Sequence, residues 1–119
     1  MLILLAHGSR ERRWRAPVEE LTRSLQADLG HRKVRLAYME CSPPALGDVV
    51  SGAIQAGVRK IRVLPLFLTA EGHVTRDIKP LIERLRRTDE RVNIELLPPV
   101  GQHPLFRDLL HKIALQAVE

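Results

Sequence analysis

Four short apolar runs, each followed by a stretch of helical periodicity, limit most strongly how this chain can fold. Leu2-Ile3-Leu4-Leu5-Ala6 is a continuous apolar run closed by His7-Gly8-Ser9. Beyond it Trp14, Val18, Leu21, Leu25 and Leu29 recur at steps of three or four, the stripe of an amphipathic helix that Gly30 is placed to stop. Val34, Leu36 and Tyr38 form a second strand leading to Glu40, and Pro43 and Pro44 open a helix carrying Leu46, Val49, Val50, Ala53 and Ile54 as far as Gly57. A third strand, Ile61 to Leu66, is again apolar and β-branched. The loop through Glu71, Gly72 and His73 separates it from a helix with Ile78, Leu81, Ile82 and Leu85. Val92, Ile94 and Leu96 make the fourth strand, ended by Pro98-Pro99, and the last helix bears Leu105, Phe106, Leu109, Leu110, Ile113 and Ala117.

This alternation predicts an α/β fold: one four-stranded parallel sheet with right-handed crossovers and helices on both faces. The first and third strands are nearly all apolar, as central strands covered on both sides must be. The second (Lys33-Val34-Arg35-Leu36) and fourth (Arg91-Val92-Asn93-Ile94-Glu95) alternate with polar residues and read as edges. The order 2-1-3-4 satisfies both. It sets the switch point between strands one and three, and ligands of open α/β sheets bind beyond the strand C-termini at such a point.

With 119 residues and neither linker nor repeat, residues 1–119 read as a single domain. A domain of this size buries only about two-thirds of its unfolded surface, so association with a second copy would help it. Aromatic residues make up only 3%, which argues against base stacking, and no helix-turn-helix or RNA-recognition signature is present. Nucleic acid is therefore not the expected partner. The formal charge of +5 favours anionic partners of some kind, a small polycarboxylate included. Cys41 is the single cysteine, which excludes an intrachain disulfide or a thiolate cluster. The run Met1 to Ala6 is too short to span a bilayer and lacks the form of a signal peptide, so no membrane partner is expected and the cytoplasm is the default compartment.

His7 follows the first strand and His73 the third, 66 positions apart (73 − 7). Neighbouring strands lie about 4.8 Å apart, so two imidazoles at adjacent strand ends can converge on one ion or one substrate. Alone, either histidine is also a fair solvated loop residue. His7-Gly8-Ser9-Arg10 resembles an anion-binding turn before a helix N-terminus, with Ser9 as ligand contact or simple helix cap. It is neither a dinucleotide fingerprint nor a Walker loop. Glu40 ends the second strand on the same edge, as proton acceptor, guide for a hydrated cation, or surface charge. Cys41 reads as a small buried hydrophobe, Ser42 as the start of the next helix, and His103 as the boundary of the last one. The Arg-rich segments 10–15 and 84–87 read as solvated helix faces, those nearest the strand edge being available to substrate carboxylates.

Taken together, Leu4-Leu5-Ala6-His7-Gly8-Ser9-Arg10, Tyr38-Met39-Glu40, Pro44, Val63-Leu64-Pro65-Leu66-Phe67-Leu68, His73-Val74-Thr75-Arg76-Asp77-Ile78 and Pro99-Val100-Gly101 resemble the small sirohydrochlorin chelatases of the CbiX type, within the ferrochelatase-like, single-subunit (class II) chelatases. The resemblance covers nearly the full chain. It implies that His7 is a metal ligand and the proton acceptor, that His73 is the second metal ligand, and that the loop Leu68, Thr69, Ala70, Glu71, Gly72 and His73 touches the macrocycle. Ser9, Arg10 and Glu40 complete the candidate site. Members of this size look like half of a larger chelatase and work as homodimers, without ATP and without an organic cofactor, on sirohydrochlorin or a relative. Three positions depart from the pattern: Glu71 where glycine is frequent, Pro43 where some relatives are acidic, and Lys79 where proline commonly follows Asp-Ile.

The expected reaction is insertion of a divalent metal, cobalt first, with iron or nickel also suited to imidazole ligands, in cobalamin or siroheme biosynthesis. Two pyrrole protons must leave, and an imidazole titrates near neutral pH (about 6.5), within reach of that task. The departures at Glu71 and Pro43 keep one alternative of another class, a non-catalytic carrier of metal or tetrapyrrole on the same fold.

Overall fold

The computed structural model describes residues 1–69, 72 and 74–118, apart from the side chains of residues 74 and 75. Strands β1 (Leu2–Ala6), β2 (Val34–Tyr38), β3 (Lys60–Pro65) and β4 (Asn93–Leu96) form one parallel sheet in the order β2-β1-β3-β4. Helices α1 (Arg12–Leu29), α2 (Leu46–Gln55) and α3 (Lys79–Thr88) connect them, and α4 (Pro104–Ala117) ends the chain. A π-helical turn, Val74–Ile78, leads into α3, and a 3-10 turn, Val100–Gln102, precedes α4. Fold class and strand order are those the apolar and alternating runs imply.

One face of the sheet is fully packed. Ile3 and Leu5 of β1 with Ile61 and Val63 of β3 point to the same side, because side chains alternate along a strand. There they meet Leu46, Val50 and Ala53 of α2 and Ile82 and Leu85 of α3, with Ile78 just before it, all buried. The opposite face carries α1, lying over β2. Gly30 ends α1 at φ +108°, its N–H donating to the carbonyl of Gln26 at 2.8 Å.

Three details differ from the sequence reading. First, the outer face of β3 is open toward β4: Arg62 pairs with Glu95 across the register at 3.0 Å, each side chain about half exposed. A charged pair in water contributes about 0–1 kcal/mol, so it marks a wet surface and not a covered one. Second, the stripe of α1 is not buried as a unit; Trp14 is 69% exposed, Leu21 49% and Leu29 51%. Third, Pro43 and Pro44 do not open a helix. The carbonyl of Pro44 accepts from Tyr38 N–H at 2.9 Å and Ala45 bridges Tyr38, so this segment prolongs the sheet edge and α2 begins at Leu46.

Candidate functional site

His7 is the first residue beyond β1, its side chain half exposed above the sheet edge. The adjacent backbone is pinned to the segment after β2: Met39 N–H donates to Ala6 at 2.9 Å and Glu40 N–H to His7 at 3.2 Å. That ladder brings Glu40 alongside, with its Oε1 3.7 Å from His7 Nε2. On the β3 side, Leu66 N–H donates to Leu5 at 2.9 Å, and the next residue, Phe67, sets its ring edge-on to the imidazole with centroids 6.4 Å apart. The imidazole thus sits between the chain ends leaving β2 and β3, as the adjacency of β1 to both dictates.

Gly8 turns the chain at φ +102°, and a Cβ built there would collide with the carbonyl oxygen of Glu40. Ser9 N–H donates to Ser42 Oγ at 3.4 Å, and Ser9 Oγ accepts from Glu11 N–H at 3.1 Å. One N–H of the expected anion-binding turn, that of Ser9, and the N–H of Glu11 just after it are therefore taken by hydroxyls. The oxygen of Ser9 takes the N–H of Glu11, itself the N-cap residue of α1, so Ser9 is not the helix cap; Ser42 steadies the turn and starts no helix. Cys41 is exposed at φ +68° and is not the buried hydrophobe its type suggests. His103 marks a helix boundary as expected, its Nδ1 accepting from Leu105 N–H at 3.1 Å.

Arg15 was read as part of a solvated helix face, yet it folds back onto the turn. Its guanidinium donates to the carbonyls of Ser9 at 3.0 Å and Arg10 at 3.3 Å. Glu19 holds the same guanidinium at 3.3 Å and also accepts from the Tyr38 hydroxyl at 3.3 Å. Burial, and after it the negative charge of Glu19, pushes the Tyr38 phenol above its ordinary value. No spacing rule announces this trio, because Arg15 and Tyr38 are brought together only by the packing of α1 on β2.

Of the remaining candidates, Arg10, Leu68, Thr69 and Gly72 are exposed around this edge. Gly101 N–H donates to the carbonyl of Phe67 at 3.0 Å, and a Cβ at Gly101 would strike the backbone of Leu68, so the turn before α4 clasps the start of the loop after β3. His73, Ala70 and Glu71 lie outside the described residues. Among the described residues no three His, Cys, Asp or Glu gather in one place, and no helix is long and apolar enough to cross a membrane. A largely apolar cleft of about 530 Å³ opens beside His7, bounded by Gly8, Ser9, Arg15, Tyr38, Leu66 and Phe106 among others. Its size is that of a small-molecule site.

The fold is an open parallel sheet of the doubly wound class, whose ligands bind beyond the strand C-termini, and the imidazole–carboxylate pair lies on that edge. Residues 1–117 match the CbiX family, and the chain belongs to that family. A CbiX protein of cobalamin (vitamin B12) biosynthesis from Marinobacter aquaeolei VT8 superposes with a TM-score of 0.84 at 33% identity, covering 98% of this chain and 95% of that one. The sirohydrochlorin cobaltochelatase of Methanosarcina barkeri is 27% identical over 124 residues, 98% of this chain and 95% of its own. The chloroplastic sirohydrochlorin ferrochelatase of Arabidopsis thaliana is 28% identical over 110 residues, 92% of this chain; the chain spans about half (49%) of that relative. The same holds for SirB of Bacillus subtilis subspecies spizizenii, solved with cobalt, which shares the fold at TM-score 0.77 and 20% identity over 95% of this chain and 49% of SirB.

Proposed function

We propose that this protein inserts a divalent metal, cobalt foremost and iron or nickel as alternatives, into sirohydrochlorin or a related polycarboxylate tetrapyrrole, without ATP. The observation that carries this reading is the His7–Glu40 pair, 3.7 Å apart where β1 and β2 end, with His7 on the edge of the apolar cleft. The flat macrocycle lies against the apolar lining, its carboxylates reaching outward to Arg10 and solvent. His7, with His73 from the loop after β3, holds the incoming cation over the ring. As the metal binds, two pyrrole N–H bonds break and two protons leave, so a doubly charged cation replaces two protons and charge balances. His7 takes a proton from the ring, and Glu40 is near enough to pass it on to water. Ser9, Leu68, Thr69, Ala70, Glu71 and Gly72 complete the surface that the macrocycle touches.

The names of the relatives support the substrate, since cobalt and iron chelatases of sirohydrochlorin occur among them. SirB has been solved with cobalt and with Fe3+. The test is Soret-region absorbance during cobalt addition to sirohydrochlorin. We expect wild type to accelerate insertion and His7→Ala to lose about 10²–10⁴-fold, the range that proton transfer by a positioned side chain supplies. Equal rates for the two would remove His7 from the mechanism. Tight stoichiometric binding without turnover would replace the enzyme with a carrier, the alternative that Glu71 and Pro43 keep open.

A further inference from the structure

Aromatic residues are scarce in this chain, yet all four gather in one place. Trp14, Tyr38 and Phe106 line the cleft beside His7, and Phe67 abuts the imidazole itself. Packing accounts for three of them: Tyr38 is buried, and Phe67 and Phe106 are half-buried. Trp14, the single tryptophan, is 69% exposed. Tryptophan is well covered on average, so an indole left in water calls for a reason. Pro17, Val18 and Leu21 continue the same wall of the cleft, an apolar stripe about 10 Å long from residue 14 to residue 21.

The indole is exposed but not loose. Its Nε1–H donates to Glu11 Oε2 at 2.9 Å, and Arg13 Nε donates to the same oxygen at 2.8 Å. Glu11 N–H in turn donates to Ser9 Oγ at 3.1 Å, which ties the anchor to the turn that follows His7. Glu11 is the N-cap residue of α1, but its side chain makes no capping bond, so the carboxylate is committed to Trp14 and Arg13. The indole N–H lies in the plane of the ring. The anchor therefore grips the ring by its edge and leaves both π-faces clear of it. Pairing among solvated groups adds little to stability, whereas a ring already held in place spares a ligand the cost of ordering it.

We propose that Trp14 is a specificity-determining residue of the cleft: its indole, set by Glu11, stacks on the face of the tetrapyrrole. This rests on the chelatase reading and deepens it, by naming the contact that recognises a flat conjugated ring where net charge recognises only its carboxylates. Offset stacking of two π-systems rewards planarity and adds to the burial of apolar area. A flexible polycarboxylate of the same charge gains neither.

Equilibrium titration with metal-free sirohydrochlorin, followed in the Soret region, tests this alongside steady-state cobalt insertion. Trp14→Ala should raise the dissociation constant and KM by about tenfold to a hundredfold with kcat within about twofold, the split expected of a contact that serves ground and transition states alike. Trp14→Phe should stay within about fivefold of wild type, while Trp14→Leu, apolar but without a π-face, should fall well short of it. Glu11→Ala should weaken binding by about twofold to tenfold through the freed ring, and Glu11→Gln, which keeps the acceptor oxygen, should restore it. Both side chains are more than half exposed, so the urea midpoint should hardly move in any of these variants. Trp14→Ala or Trp14→Leu binding as tightly as wild type overturns the stacking contact, and an unchanged Glu11→Ala overturns the anchor. The chelatase reading is judged apart. A wild type that binds the tetrapyrrole through Trp14 but inserts no metal sinks the enzyme and spares the contact. Trp14→Ala unchanged in an active enzyme sinks the contact alone, and a wild type that does not bind the tetrapyrrole overturns both.

Discussion

Gly8 stands at φ +102° with its α-carbon turned onto the Glu40 carbonyl, so both backbone conformation and space demand glycine there. Gly8→Ala should cost at least about 1–2 kcal/mol from the left-handed backbone alone, more once Glu40 is displaced, read as a lower urea midpoint. Insertion rate should fall with it, because the carbonyl that must move belongs to the residue paired with His7. Glu40→Gln is expected to separate the two readouts. Its carboxylate is more than half exposed at 3.7 Å from His7, and such pairs contribute about 0–1 kcal/mol, so the urea midpoint should barely change. The insertion rate should drop, and an unchanged rate would remove Glu40 from the proton path. That His7 and Glu40 share one edge of the sheet was legible in the sequence, since each lies just beyond one of two strands whose apolar and alternating runs make them neighbours; their 3.7 Å pairing was not. Cys41 and Ser42 were not legible. Residue type suggested burial for one and a helix start for the other, while the actual roles depend on how the chain turns back beneath Gly8.

Among the elements, α1 shows most clearly what periodicity can and cannot tell. It correctly groups Trp14, Val18, Leu21 and Leu25 on one side of a helix, but it is silent on what lies opposite, and Trp14 and Leu21 face solvent. Strand assignment fared better, because β1 and β3 are set apart by their apolar runs and need no knowledge of a partner. The same helix supplies the clamp of Arg15, Glu19 and Tyr38 on the turn bearing His7. Tyr38 is buried and its phenol is raised above 10.0, by burial first and Glu19 second. A group whose folded value is raised contributes stability that is complete below the unfolded value and is lost as pH climbs through the folded one. The urea midpoint of wild type should therefore decline as pH passes 10.0, and Tyr38→Phe should show a shallower decline over the same window. Parallel slopes would mean that the hydroxyl is not coupled to folding.

At the scale of the whole molecule, 19 Lys and Arg against 14 Asp and Glu leave a charge of +5. Association with a carboxylate-rich substrate should slow by roughly threefold to tenfold between about 0.01 and 0.15 M ionic strength, as the screening length falls from about 30 to 8 Å. Stopped-flow binding measures this, and a flat salt profile would rule out steering by net charge. The contact of Gly101 with Phe67 and Leu68 ties these levels together, since the root of α4 is bonded to the residue whose ring abuts His7. Any strain placed on that root is passed to the residue whose ring abuts the imidazole, and thermodynamic reciprocity runs in both directions. To whatever degree a shift of the α4 root changes how a ligand sits at His7, that ligand must bias the position of α4 by the same factor.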